Sequence, residues 1–310
     1  RIPFLFILDY ELQKPIIHTL RELPDFILYK FDKIKNYTSG KSYSKPLTFE
    51  KFPICYEKYQ SAFENVKAEL QYGNSFLLNL TFATPIETNY TLSELFKISV
   101  AKYKLYYDDQ FIVSSPETFI RIKDGHIYTY PMKGTINAKI SGARDIILHD
   151  PKEMAEHHTI VDLLRNDLSQ VATNVKVKRF RYIDQINTYH SSLLQVSSEI
   201  VGDISTAYPN NLGYIFCALL PAGSISGAPK KKTLEIIKSN EEGKRGYYTG
   251  VFGIFDGKNV DSAVMIRYIE QDTDSNMQYR SGCGITAMSD CAAEYKEMID
   301  KVYVPTGRKH

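Results

Sequence analysis

The alternation of apolar and polar positions predicts a strand-rich chain with helices set between the strands. Residues 111–132, FIVSSPETFIRIKDGHIYTYPM, alternate about Asp124-Gly125, and residues 246–272 repeat the design about Asp256-Gly257. Period-two alternation broken by an Asp-Gly pair predicts a β-hairpin in each case. Residues 276–288, NMQYRSGCGITAM, predict a further strand ending in a glycine-rich turn. The run IPFLFIL at 2–8 predicts a buried strand; it is too short to cross a bilayer and no small-residue cleavage site follows it. Three helices are marked. One covers Tyr56 to Gln71 with Phe63, Val66 and Leu70 on one face. A second begins at Asp150-Pro151, where Asp suits the cap and Pro the first turn. A third follows Asp290 through CAAEYKEMIDKVY. Hairpins mixed with segregated helices predict an α+β fold. No repeat and no linker interrupts the pattern, and residues 36–51 read as a long loop. The expectation is one large domain over 1–310, built of antiparallel β-sheets packed with helices.

Composition narrows the function classes. The chain is 43% apolar and 24% charged, with a net charge of +2, so no global field recruits nucleic acid or a membrane. The basic run PKKKTLEIIK (229–238) reads as the solvated face of a helix. Cys55, Cys217, Cys283 and Cys291 show neither CxxC spacing nor a paired histidine. Neither a zinc site nor a disulfide framework is suggested, which fits the reducing cytoplasm.

Two spacings carry candidate chemistry. Glu153 and Glu156 lie three apart on the second helix, where Glu153 could simply complete a capping box with Asp150 and Glu156 could be solvated. Glu294, Glu297 and Lys301 share a face of the third helix. Were the helices to meet at one cleft, four carboxylates would converge; such oxygen donors suit Mg²⁺. His157 and His158 lack metal-ligand spacing and read as structural. The stretches PAGSISGAPK (221–230) and SGCGIT (281–286) read as glycine turns with exposed N–H groups, suited to anions, with Arg267 and Lys301 adding positive charge.

Six stretches occur together in order: SPETF (115–119), PMKGT (131–135), EMAEHHTIVDLLRNDL (153–168), PAGSISGAPK, RGYYTGVFG (245–253) and SGCGITAMSDCAAEYKEMIDK (281–301). In these the chain resembles the chorismate-utilising enzymes, and most closely their aminodeoxychorismate synthase component I branch. The match is dense over 111–301 and thinner over 1–110, which would form the N-terminal part of the same anthranilate synthase/aminodeoxychorismate synthase type of fold. The resemblance implies Mg²⁺ held directly by Glu156 and Glu297 and through water by Glu153 and Glu294. It implies substrate contacts at Gly134, Thr135, Gln195, Ser224, Tyr248, Arg267, Gly282, Cys283, Gly284 and Lys301.

Lys133 separates the branches, because anthranilate synthases resemble this chain elsewhere but carry alanine there. The lysine would attack C2 of chorismate while Glu117 protonates the departing 4-hydroxyl; ammonia would then add at C4 and release the lysine. Such a nucleophile calls for an amine whose pKa is depressed. The implied activity is 4-amino-4-deoxychorismate formation, feeding p-aminobenzoate and folate, with ammonia from a separate glutamine amidotransferase subunit. Two departures stand out: Leu77 replaces a usual glutamine, and Gln195 a histidine of anthranilate synthases. Leu77 cannot activate water as the lysine of isochorismate and salicylate synthases does. Gln195 cannot shuttle a proton. The alternatives are anthranilate synthase component I and a non-catalytic chorismate-binding paralogue. No tryptophan-binding motif is implied.

Overall fold

The computed structural model describes residues 1–38, 45–187, 192–205, 207–208 and 210–306. Two antiparallel sheets lie face to face, with helices on their outer sides. The first runs in the order Met132–Asn137, Ser192–Ile204, His126–Thr129, Thr118–Lys123, Val260–Val264, Val251–Phe255, Phe4–Leu8 and Ile16–Thr19, with Ala172–Asn187 also paired to Ser192–Ile204. The second runs Gly227–Ala228, Leu77–Thr88, Met277–Ile285, Tyr268–Gln271, Phe111–Ser115, Tyr103–Tyr107, Ile27–Phe31 and Ile34–Lys35, with Phe49–Lys51 on Leu77–Thr88. The α+β reading therefore holds.

Successive side chains of Phe4–Leu8 serve opposite layers. Leu5 and Ile7 enter the core between the sheets, where they meet Ile27, Tyr103 and Phe252. Phe6 points the other way, into a cluster with the helices Pro151–Ser169 and Leu212–Leu219. A strand covered on both faces needs an unbroken apolar run, which explains IPFLFIL. Burying each such side chain contributes roughly 1.5–3 kcal/mol.

The seven α-helices of the described residues are α1 (Tyr56–Gln71), α2 (Leu92–Ile98), α3 (Ala143–His149), α4 (Pro151–Ser169), α5 (Leu212–Leu219), α6 (Lys230–Asn240) and α7 (Cys291–Asp300). The predicted α1 matches end to end, with Tyr59 joining Phe63, Val66 and Leu70 on its buried stripe. Asp150 caps α4 by accepting from the Glu153 N–H at 2.9 Å, and Asp290 caps α7 by accepting from the Ala293 N–H at 2.9 Å. Lys231 and Lys232 of the basic run are exposed, as expected. No helix among the described residues is long and apolar enough to cross a membrane.

Four expectations need correction. Residues 111–132 are not one hairpin: Phe111–Ser115 belongs to the second sheet, and only Thr118–Lys123 and His126–Thr129 pair about Asp124-Gly125 in the first. Pro116 cannot donate to a ladder, so the chain changes sheets there. In the 246–272 segment the hairpin about Asp256-Gly257 holds, pairing Val251–Phe255 with Val260–Val264, but the chain then changes sheets between Val264 and Tyr268. The SGCGIT glycines lie within a strand rather than a turn, since Met277–Ile285 pairs with Leu77–Thr88 throughout. A Cβ on Gly282 would lie 2.4 Å from the Leu80 carbonyl oxygen, so the glycine permits a close backbone approach. Within the expected 36–51 loop, residues 39–44 lie outside those described and Phe49–Lys51 is a short strand.

Candidate active site

Lys133 sits on a β-bulge. In the ladder Met132 faces Ser197 while Thr135 faces Gln195, so one extra residue is accommodated between them. Gly134 takes it up with φ +85°, a conformation that favours glycine. A bulge re-aims its side chains, and here the Lys133 ammonium reaches Glu156 Oε2 at 2.7 Å. Gly134 is needed for a second reason: a Cβ there would lie 2.9 Å from Glu153 Oε2. Both glutamates of α4 therefore face the Lys133 strand. The alternative of a solvated Glu156 falls, since its side chain is only 13% exposed and is paired.

Helix α7 supplies the opposite wall. Burial tends to lower the Lys133 pKa, but Glu156, Glu297 and Glu153 outweigh it and hold the amine above the ordinary lysine value. This corrects the expectation of a depressed pKa: an amine set among carboxylates keeps its proton. A Cβ on Gly284 would lie 3.9 Å from Lys133 Nζ and 3.2 Å from Leu77 Cδ1, so Leu77 forms apolar wall there. Glu294 is buried and accepts from Ser289 Oγ at 2.9 Å. One potential ligand atom each from Cys283, Glu294 and Glu297 lies within 4.8 Å of the others. Burial pushes the Cys283 thiol up to about 12, so beside these carboxylates it is a neutral thiol. Lys301 pairs with Glu297 at 2.7 Å and donates to the Gly282 carbonyl at 2.9 Å.

Glu117 and Arg267 stand at the two points where the chain changes sheets. The Val264 N–H donates to the Glu117 carbonyl at 3.2 Å, and the Ser114 N–H donates to the Arg267 carbonyl at 3.1 Å. Ser224 Oγ donates to Glu117 Oε1 at 2.5 Å. Burial, the largest influence, raises the Glu117 pKa against this bond and the nearby charges of Arg267 and Lys301. The carboxyl is thus biased toward the protonated form that a general acid needs. Tyr248 is buried in the core between the sheets rather than on the open face, though electrostatically close to Arg267. Thr135 is exposed and faces Gln195, which is half-buried, beyond the bulge.

Sequence reasoning passed over two braces. Arg245 is buried; it donates to the carbonyls of Ile225 at 2.8 Å and Asn79 at 2.7 Å, and pairs with Glu241 at 2.6 Å. It thereby ties the Ser224 turn to the second sheet. Asp167 pairs with Lys230 at 3.3 Å beneath the same turn. Both residues stand inside quoted motifs, and a buried charge opposite a glycine-rich turn is the signal that marks them.

An acid, a lysine and a carboxylate cluster thus stand near Arg267 and Lys301. The chain belongs to the chorismate binding enzymes, whose family model matches residues 12–307, and is a chorismate-utilising enzyme. It is 50% identical over 310 residues to an uncharacterised PabA-like protein of Pasteurella multocida, covering 99% of this chain and 95% of that one. It is 32% identical to the aminodeoxychorismate synthase component 1 of Bacillus subtilis over 84% of this chain, and spans 57% of that longer protein. The fold superposes on anthranilate synthase component I of Streptococcus pneumoniae with a TM-score of 0.71 at 26% identity, covering 83% of this chain and 59% of that one.

Proposed function

We propose that this enzyme is an aminodeoxychorismate synthase component I, converting chorismate and ammonia to 4-amino-4-deoxychorismate for p-aminobenzoate and folate synthesis. The observation that carries the reading is the Lys133 amine, aimed by its bulge into the carboxylate cluster at 2.7 Å from Glu156. Glu156 Oε2 is the acceptor within reach of the ammonium proton, whose removal frees the amine to attack C2. Glu117, which burial biases toward its protonated form and Ser224 holds, supplies the proton for the departing hydroxyl. Arg267 and Lys301 attract the carboxylates of the substrate.

Carboxylate donors fit a hard divalent cation: Glu156 and Glu297 would hold Mg²⁺ directly, and Glu153 and Glu294 through water. When bound, Mg²⁺ would neutralise the ring carboxylate and weaken the anionic field around Lys133. Ammonia, in this reading, comes from a separate glutamine amidotransferase subunit.

The test is product analysis of the full chain with Mg²⁺, chorismate and ammonium. The expected product is 4-amino-4-deoxychorismate, and Lys133→Ala should slow its formation on the order of a thousandfold. Unchanged turnover in that variant overturns the assignment of the nucleophile. The likeness to the Streptococcus pneumoniae enzyme supports a second reading, anthranilate synthase component I. Fluorescent anthranilate appearing together with pyruvate would establish it instead.

A further inference from the structure

His157 follows Glu156 on α4 and is fully buried, as is Ser198 on the strand Ser192–Ile204. Ser198 Oγ accepts from the Arg181 N–H at 2.9 Å and lies 2.7 Å from His157 Nε2. A buried hydroxyl keeps its proton bonded, so the Ser198 O–H donates and Nε2 of the neutral ring accepts. The Ser198 N–H in turn donates to the Pro131 carbonyl at 2.9 Å, and Pro131 stands just ahead of Met132 and Lys133. His157 Nδ1 faces the Lys133 backbone without closing a hydrogen bond of ordinary geometry, so Nε2 is the polar anchor of the ring.

These contacts close a circuit. One arm runs from Glu156 of α4 to the Lys133 ammonium at 2.7 Å. The other leaves α4 at the next residue, His157, and returns through Ser198 and Pro131 to the strand that carries Lys133. That second arm meets a need. Met132 and Thr135 are paired in the ladder, but the bulge between them is not, so ladder bonds alone do not fix where Lys133 stands.

We propose that His157 is a positioning residue for Lys133, holding the bulge at a set distance from α4 through Ser198. The inference deepens the amination reading above and rests on it. The step it serves is the attack on the ring. The Lys133 amine, having given a proton to Glu156, forms the N–C2 bond with its lone pair and becomes a secondary ammonium. The ring double bonds shift, the C4–O bond breaks, and the hydroxyl leaves as water with the proton of Glu117. His157 touches none of these atoms and exchanges no proton. Its loss should therefore slow the attack while the attraction of the substrate carboxylates to Arg267 and Lys301 persists.

The experiment follows formation of the Lys133 adduct by quenched-flow mass spectrometry, using the full chain with Mg²⁺ and chorismate and without ammonium. His157→Phe keeps a flat ring and removes Nε2. Adduct formation should slow at least about tenfold, with no change in the chorismate concentration that gives half the maximal rate. His157→Gln, whose amide oxygen can accept from Ser198 in place of Nε2, should recover most of the rate. His157→Asn, which reproduces Nδ1 instead, should not. Ser198→Ala is a smaller change that does not depend on His157→Phe folding. It should slow the adduct to a similar extent, and the double variant should be no slower than either single one. Added to Lys133→Ala, His157→Phe should leave the residual turnover as it is, because no lysine remains to be positioned. A wild-type adduct rate in folded His157→Phe and Ser198→Ala enzymes overturns this inference alone. So does a further tenfold loss in the Lys133→Ala background, which would mark a general structural role. If the wild type forms no adduct, the amination reading fails and this inference with it.

Discussion

Glu117 shows how one residue's chemistry can run against stability. Its carboxyl pKa lies above the ordinary value of 4.5, chiefly because it is buried. Between that value and its raised native value the folded chain keeps a proton that the unfolded chain has released, so stability falls as pH rises through this window. The penalty is absent below the ordinary value and complete above the native one. Glu117→Gln cannot ionise yet can still accept from Ser224, so it should melt higher than the wild type at about pH 8 and level with it at about pH 3. A wild type that melts as high as the variant at the alkaline end would contradict this. Lys133 carries the opposite lesson. The sequence stretch PMKGT marks the lysine, but its raised pKa depends on carboxylates from two helices that spacing alone cannot place.

At the scale of elements, α4 does the positioning. Its cap fixes where the first turn starts, and that turn presents Glu153 over Gly134 and Glu156 to Lys133. Asp150→Ala should cost about 1 kcal/mol, read as a lowered urea midpoint, with Asp150→Asn recovering most of it. Equal loss in both variants would show that the side-chain cap is not the cause. The apolar stripe of α1 and the caps of α4 and α7 were legible because their signals are local. The sheet change at Pro116 was not, since apolar-polar alternation continues on both sides of it and does not say which sheet is paired. The glycines of SGCGIT misled for a related reason: close backbone approach and turning both call for glycine, and only the facing strand distinguishes them. The small helices α2, α3 and α5 are short for a periodic signal.

Across the whole molecule, the core between the sheets is the common support for both halves of the site. Ile7 is fully buried there, far along the chain from Glu117 and Arg267 but in the layer that joins their sheets. Ile7→Ala should lower stability by about 2–5 kcal/mol in urea denaturation. Folded molecules of that variant should retain the wild-type KM for chorismate below the transition. A large change in KM with little loss of stability would place Ile7 in the site's geometry instead. The two-sheet architecture was only partly foreseen, because long-range strand order is fixed by which faces bury each other.

The reciprocal backbone bonds at the two crossovers reach beyond this chain. Glu117 and Arg267 are each held by the strand leading into the other, through main-chain atoms that every residue except proline possesses. They work as a pair of sockets: replacing either side chain changes the group presented while its mounting stays put. A scaffold wired in this way can exchange reactive groups without being rebuilt. That makes intelligible how one fold serves both this lysine-bearing site and an anthranilate synthase.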